Sequence, residues 1–269
     1  MPPDSESETE TPMHQQPGDG AARPFPIVAI GASAGGLEAC SKLLDVLPPA
    51  SGMAFVVVQH LDPTHESLLV TLLGAHTAMP VVQAADGMAL RPDHVHVIPP
   101  GSYLAVRQDT LLLSQPSAQR GARMPFDYLL KSLATNAGGR TVAVVLSGSG
   151  SDGSQGVSAV RDAGGLVVAQ DPMEAGYDGM PRSAIATGAV DKVLPLAAIP
   201  AALAGFAQRQ TARAADPATG KPSEDWLGAI VDLLRKKAAH DFRLYKPGTL
   251  RRRVEQRMGR AGIEATEFH

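Results

Sequence analysis

Apolar residues in this chain gather in short, β-branched runs set between longer stretches where they recur every three or four positions. Phe25–Ile30 and Ala54–Gln59 are nearly continuous apolar runs, the pattern of strands covered on both faces in a parallel sheet. Pro80–Gln83, Arg140–Leu146, Leu166–Ala169 and Lys192–Leu194 predict further strands. Helices are predicted between them. In Gly36–Leu47 the residues Leu37, Leu44 and Leu47 fall on one helical face. Glu66–Gly74, Pro125–Asn136, Gly153–Asp162 (closed by Gly164 and Gly165) and a segment from Leu196 also read as helical. His94–Ile98, Tyr103–Arg107 and Thr110–Ser114, separated by turn residues, predict a small antiparallel flap. Alternation of strand and helix from Phe25 to about Gln208 predicts an α/β fold: a doubly wound, mainly parallel sheet with helices on both faces.

The flanks differ. Residues 1–24 are polar, rich in Pro, Ser, Thr and Glu, and predict a disordered tail. Residues 209–224 read as a linker between a domain at 25–208 and a short helical segment at 225–269, where Trp226–Ala239 and Thr249–Gly259 predict two loosely ordered helices. Charge is split between the ends. Residues 1–20 carry five acids and no Lys or Arg, and residues 226–269 carry ten Lys/Arg against five acids. The acidic start excludes a signal peptide, and no apolar stretch reaches the roughly 18–20 residues that cross a bilayer. One cysteine, Cys40, excludes a disulfide framework and fits a reducing compartment. A cytoplasmic protein without membrane insertion is expected.

The chemistry is concentrated where strands end. The segment Gly31-Ala32-Ser33-Ala34-Gly35-Gly36 places a serine on a strand-to-helix turn, which exposes a hydroxyl near free helix N–H groups. A glycine-rich turn that merely lets strand and helix pack is the plain reading. A dinucleotide loop is another, although Ser33 stands where such a loop has its middle glycine. His60 ends the second strand and Asp152 follows Arg140–Leu146, so a serine, an imidazole and a carboxylate each close a strand. Such a set activates a nucleophile: imidazole takes the hydroxyl proton and the carboxylate orients the imidazole. Asp152 also reads as an N-cap for the helix after it. Rival acids are Asp171 and Asp178, and rival histidines are His65, His94 and His96. His94 and His96 could share one strand face as metal ligands, but no third ligand accompanies them, and no metal is expected.

Four ordered segments resemble a known family: Ile30–Gly36, Val57–His60, Leu146–Gly153 and Gly179–Ile185 are similar to the catalytic domain of chemotaxis protein-glutamate methylesterases of the CheB type. The likeness runs from about Phe25 to Ala204. It implies Ser33 as nucleophile, His60 as general base and Asp152 as its orienting partner. It places Ala34, Gly35, Ser149, Gly150 and Met180 at the oxyanion and substrate-binding positions. It further implies hydrolysis of glutamate methyl esters on the cytoplasmic helices of methyl-accepting chemoreceptors, with deamidation of glutamines there, and no cofactor. Many members carry Thr at the position of Ala34, and Met or Thr at that of Ser149; backbone N–H groups are the expected oxyanion donors. A non-catalytic signalling scaffold and a dinucleotide- or phosphate-binding module are the alternative functions.

The segment Asp241–Met258 resembles the start of the CheR-type receptor methyltransferase, so the chain reads as the front of a methylesterase–methyltransferase fusion. S-adenosylmethionine belongs to the part of that enzyme not included here, since no glycine-rich cofactor loop follows Gly220. Members commonly carry an N-terminal receiver domain; residues 1–24 are too few and too polar for one, so activity independent of a phosphodonor is expected. The basic helix with Arg251, Arg252, Arg253 and Arg257 carries no groove-reading or aromatic motif, so nucleic acid is not the expected partner.

Overall fold

The computed structural model describes residues 24–59, 68–115 and 123–215, together with Val231, Arg253, Val254 and Arg257. The chain alternates as predicted: β1 (Ile27–Ala32), α1 (Gly36–Val46), β2 (Ala54–Gln59), α2 (Leu69–Gly74), β3 (Val81–Gln83) and β4 (Val95–Val97) form its first half. A hairpin of β5 (Tyr103–Arg107) and β6 (Thr110–Ser114) precedes α3 (Pro125–Asn136) and β7 (Thr141–Val145). Then follow α4 (Gly156–Asp162), β8 (Leu166–Gln170), α5 (Gly179–Ala186), β9 (Lys192–Leu194) and α6 (Ile199–Ala215). The main sheet has seven parallel strands in the order β3-β4-β2-β1-β7-β8-β9.

Both faces of the sheet are covered, which is why its central strands are apolar at nearly every position, with polar residues only at strand ends such as Gln59 and Thr141. In β1, Val28, Ile30 and Ala32 pack with Cys40, Leu43 and Leu44 of α1 and with Ile199 and Leu203 of α6. Ile27 and Ala29 join the opposite cluster with Phe126, Leu129 and Leu130 of α3 and Val157 of α4. The strand period of two thus assigns successive residues to two separate cores.

Three elements differ from the sequence expectation. His94–Ile98 does not belong to the antiparallel flap: β4 pairs parallel with both β2 and β3, and only β5 and β6 form the hairpin. Val95 and Val97 are buried, and His96 can be buried among them because its Nδ1–H donates to the Phe55 carbonyl at 3.2 Å. Helix α5 was not among the predicted helices; its Gly179 and Pro181 lie in the first turn, where an N–H has no intrahelical partner to lose. Helix α6 continues to Ala215, so the first residues of the span read as a linker are helical. The tail at 1–23, His60 through Glu66, and the two C-terminal helices apart from the four residues named above lie outside the described residues.

Candidate active site

Strand β1 lies mid-sheet, with β2 on one side and β7 on the other. From β1 the chain passes to β2, crosses to the edge strand β3, comes back to β4 between them and then returns to β7 on the other side of β1, so a topological switch point falls between β1 and β7. In an open parallel sheet the crevice at the carboxyl ends of such strands is where ligands bind. Ser33 follows β1 there, and residues 146–155 form the loop after β7.

The turn at Ser33 is held by the main chain. Ser33 N–H donates to the Ser147 carbonyl at 3.0 Å, and Gly36 N–H donates to the Ser33 carbonyl at 2.8 Å. Gly35 is the N-cap of α1 with φ +68°, and no side chain caps the helix. The α1 N-terminus therefore opens beside a half-buried serine without a side chain spent on its amides. Close approach demands glycine at position 148: a Cβ there would lie 2.2 Å from the Met180 sulfur and 3.0 Å from Ser33 Cβ. Met180, buried, thus backs the serine from α5.

Asp152 is buried, and its two carboxylate oxygens accept the N–H groups of Phe126 (3.0 Å) and Asp127 (2.9 Å). It therefore caps a helix, but α3 rather than the α4 that follows it. The first amides of α4, from Gln155 and Gly156, are taken instead by Asp127 Oδ1 at 3.0 and 2.6 Å. Two acids cross over to cap each other's neighbouring helices, and Asp152 is thereby fixed at the end of β7. His60 lies outside the described residues. Its predecessor Gln59 is the last residue of β2, in register with Ala32 of β1. The Gln59 amide approaches Gly36, with its Cδ 3.5 Å from where a Cβ on Gly36 would stand. Among the described residues, Gln59 Oε1 is a buried acceptor with no hydrogen-bond partner.

Beside the serine turn is an open cleft of about 490 Å³ lined by Ser149, Gly150, Ala175, Gly176, Tyr177, Asp178 and Gly179. Its floor is backbone and small side chains. Tyr177, 54% exposed, is its one large wall, and the ring leans over Gly35. The structure thus brings Ser33, Ala34, Gly35, Ser149, Gly150 and Met180 from the sequence reading to one edge of the sheet, and it holds Asp152 in the loop between β7 and α4. Ser147, Asp127 and Tyr177 were missed. Ser147 and Tyr177 lie inside or beside the quoted motifs, but their part rests on pairings that only the fold creates.

The rival residues fall elsewhere or into other bonds. Asp171 Oδ1 accepts the Met173 N–H, and Asp178 at the cleft edge pairs with Arg182 at 2.6 Å. The rings of His94 and His96 stand 6.2 Å apart, and burial pushes His96 below the usual imidazole range. His65 is outside the described residues. Among the described residues no three His, Cys, Asp or Glu side chains gather as metal ligands. Burial without a partner charge pushes the Cys40 thiol up to about 12, which removes it from nucleophilic chemistry.

A doubly wound parallel sheet that presents a serine on its first strand-to-helix turn, across the switch point from a buried carboxylate, defines a class of α/β proteins with hydrolase-type sites. Residues 28–203 match the CheB methylesterase family, and residues 226–266 match the all-alpha domain of CheR methyltransferase. The chain belongs to the CheB methylesterase family. The crystal structure of the Thermotoga maritima CheB methylesterase catalytic domain superposes with a TM-score of 0.63 at 31% identity, covering 68% of this chain and 98% of that one. A 104.1 kDa protein of Rhodobacter capsulatus is 41% identical over 213 residues, which is 71% of this chain and 22% of that protein. Protein-glutamate methylesterase FrzG of Myxococcus xanthus is 38% identical over 181 residues, covering 67% of this chain and 54% of FrzG. A protein-glutamate methylesterase/protein-glutamine glutaminase of Pseudomonas aeruginosa is 37% identical over 188 residues, covering 68% and 54%. The chain spans about half the length of these methylesterases.

Proposed function

We propose that this chain hydrolyses γ-methyl esters of glutamate, and by the same acyl chemistry deamidates glutamine, on cytoplasmic helices of chemoreceptor-type proteins. Ser33 Oγ attacks the ester carbonyl while His60 takes its proton. The tetrahedral oxyanion is met by backbone N–H groups of the Ala34–Gly35 turn at the start of α1. Collapse expels methoxide, which leaves as methanol with the proton carried by His60. Water then attacks the acyl-serine with His60 again as base, freeing the glutamate carboxylate and restoring Ser33. Asp152 orients His60 and favours its charged form during each transfer. The chemistry draws on no cofactor or metal.

The observation that carries this reading is the site of Ser33. It sits on an uncapped helix N-terminus at the switch point, within a segment that matches CheB methylesterases throughout. The partner class comes from the same relatives, and a cytoplasmic site of action follows from it. Among the described residues no helix is long and apolar enough to cross a membrane. The test is methanol release from a methyl-esterified receptor fragment. Ser33→Ala should lower kcat on the order of 10⁶-fold, the cost of losing a triad nucleophile. Turnover surviving that substitution ends the reading. Failure of a fluorophosphonate to label Ser33 in the folded parent would instead favour a silent scaffold.

A further inference from the structure

We infer that Ser147 is a positioning residue for the ester hydrolysis proposed above, on which this inference rests: its hydroxyl holds the peptide behind the nucleophile and the wall of the cleft in one geometry. Ser147 follows β7 by two residues and is 1% exposed. All its polar groups are engaged. Its N–H donates to Gln170 Oε1 at 2.9 Å, and its carbonyl accepts the Ser33 N–H at 3.0 Å. Its hydroxyl donates to the Ala34 carbonyl at 2.9 Å and accepts the Tyr177 N–H at 3.0 Å. The two main-chain bonds would survive any side chain at 147. The two hydroxyl bonds would not.

The bond to Ala34 matters because a trans peptide is planar, with its C=O and N–H pointing in opposite directions. Fixing the Ala34 oxygen therefore fixes the direction of the Gly35 N–H, one of the amides assigned to the oxyanion. Gly35 has φ +68°, and glycine leaves that peptide little intrinsic restraint. The missing side chain also makes room for the clamp, since a Cβ on Gly35 would lie 2.9 Å from Ser147 Oγ. On the other side, the Tyr177 carbonyl accepts the Gly148 N–H at 2.9 Å, and the Tyr177 ring stands 3.1 Å from that same Cβ position. One buried hydroxyl thus links the nucleophile turn, the loop after β7 and the cleft wall. A misaimed amide weakens only what forms in the transition state, so its loss should appear in kcat rather than KM.

The experiment uses the full chain with a small blocked glutamate γ-methyl ester, comparing the parent with Ser147→Ala, Ser147→Thr and Ser147→Cys. Ser147→Ala should lower kcat about 10- to 100-fold with KM within about twofold, and should slow fluorophosphonate labelling of Ser33 by a similar factor. Ser147→Thr, which keeps the hydroxyl, should recover kcat to within about threefold of the parent. If Ser147→Ala does not fold, Ser147→Cys, which keeps the size but weakens the hydrogen bond, should show the same loss of kcat. The inference is overturned if the folded Ala variant, or the Cys variant in its place, turns over like the parent with only a lower Tm. It is overturned equally if Thr is as impaired as Ala. Ser33→Ala separates the two readings: a parent whose turnover ignores Ser33 sinks the esterase itself, whereas Ser33-dependent turnover indifferent to Ser147 sinks only the clamp.

Discussion

Gly31 shows how tightly the residues beneath the serine are fitted. A Cβ on it would fall 2.2 Å from the Phe126 ring, which is itself buried between β1 and the Asp152 loop. Gly31→Ala must displace that ring, and overpacking of this kind costs about 1–3 kcal/mol. Urea unfolding should report a loss of that size; an unchanged midpoint would mean that Phe126 moves freely. His96 is fitted in a different sense. Burial lowers its pKa from the usual 6.5, opposed by the bond to the Phe55 carbonyl and aided by His94 and Arg91. The unfolded chain takes up the proton near 6.5 while the folded one resists it. Stability therefore falls as pH drops below about 6.5, and it is regained above that value. Between pH 7 and pH 5 the parent should lose more Tm than His96→Gln, and equal losses would refute the assignment. Cys40, buried with its thiol pushed up to about 12, should react with Ellman's reagent only on unfolding; rapid labelling of native protein would contradict that.

At the scale of elements, the site depends on two helices that start beside each other. Helix α3 begins on the Asp152 carboxylate and α4 on that of Asp127, so neither N-terminus is capped by its own preceding residue. Asp127→Ala would leave the buried Gly156 amide without an acceptor and free the more exposed Gln155 amide, and should cost about 1–2 kcal/mol. Because α4 follows directly from the Asp152 loop, the same change should also lower esterase kcat. Asp127→Asn, which keeps one acceptor oxygen, should restore most of the stability. A parent-like Tm for Asp127→Ala would show the caps to be dispensable. These crossed caps mark where sequence reading reached its limit. The strands and α3 were legible because each carries its own periodicity, and α3 was placed to the residue at Pro125–Asn136. Which amide an acid will cap depends on a neighbour 25 to 29 positions away in sequence. Local pattern holds no trace of such a pairing.

For the molecule as a whole, the placement of Ser33 after β1 and of Asp152 after β7 was legible because a doubly wound sheet gathers strand ends at its switch point, so residues far apart in the chain need only share that edge. The cleft was not legible, since its walls come from a loop whose place is set by Ser147 and Gly148 rather than by its own pattern. The two charged ends of the chain follow a different logic: with ten Lys/Arg against five acids, residues 226–269 are basic whatever their arrangement. They match the CheR all-alpha domain over 226–266, and Arg251, Arg252, Arg253 and Arg257 are clustered within it. Guanidinium groups suit carboxylates in charge and in geometry, and the proposed substrate helices present glutamates. We therefore expect Arg252→Glu/Arg253→Glu to leave turnover on a small methyl ester unchanged, because neither arginine lies in the catalytic segment at 28–203. The same variant should bind a receptor fragment more weakly at low salt, with the difference shrinking as ionic strength rises and screening takes over. Affinity for the fragment at low salt, measured on both proteins, decides it: equal values would remove this segment from substrate recognition.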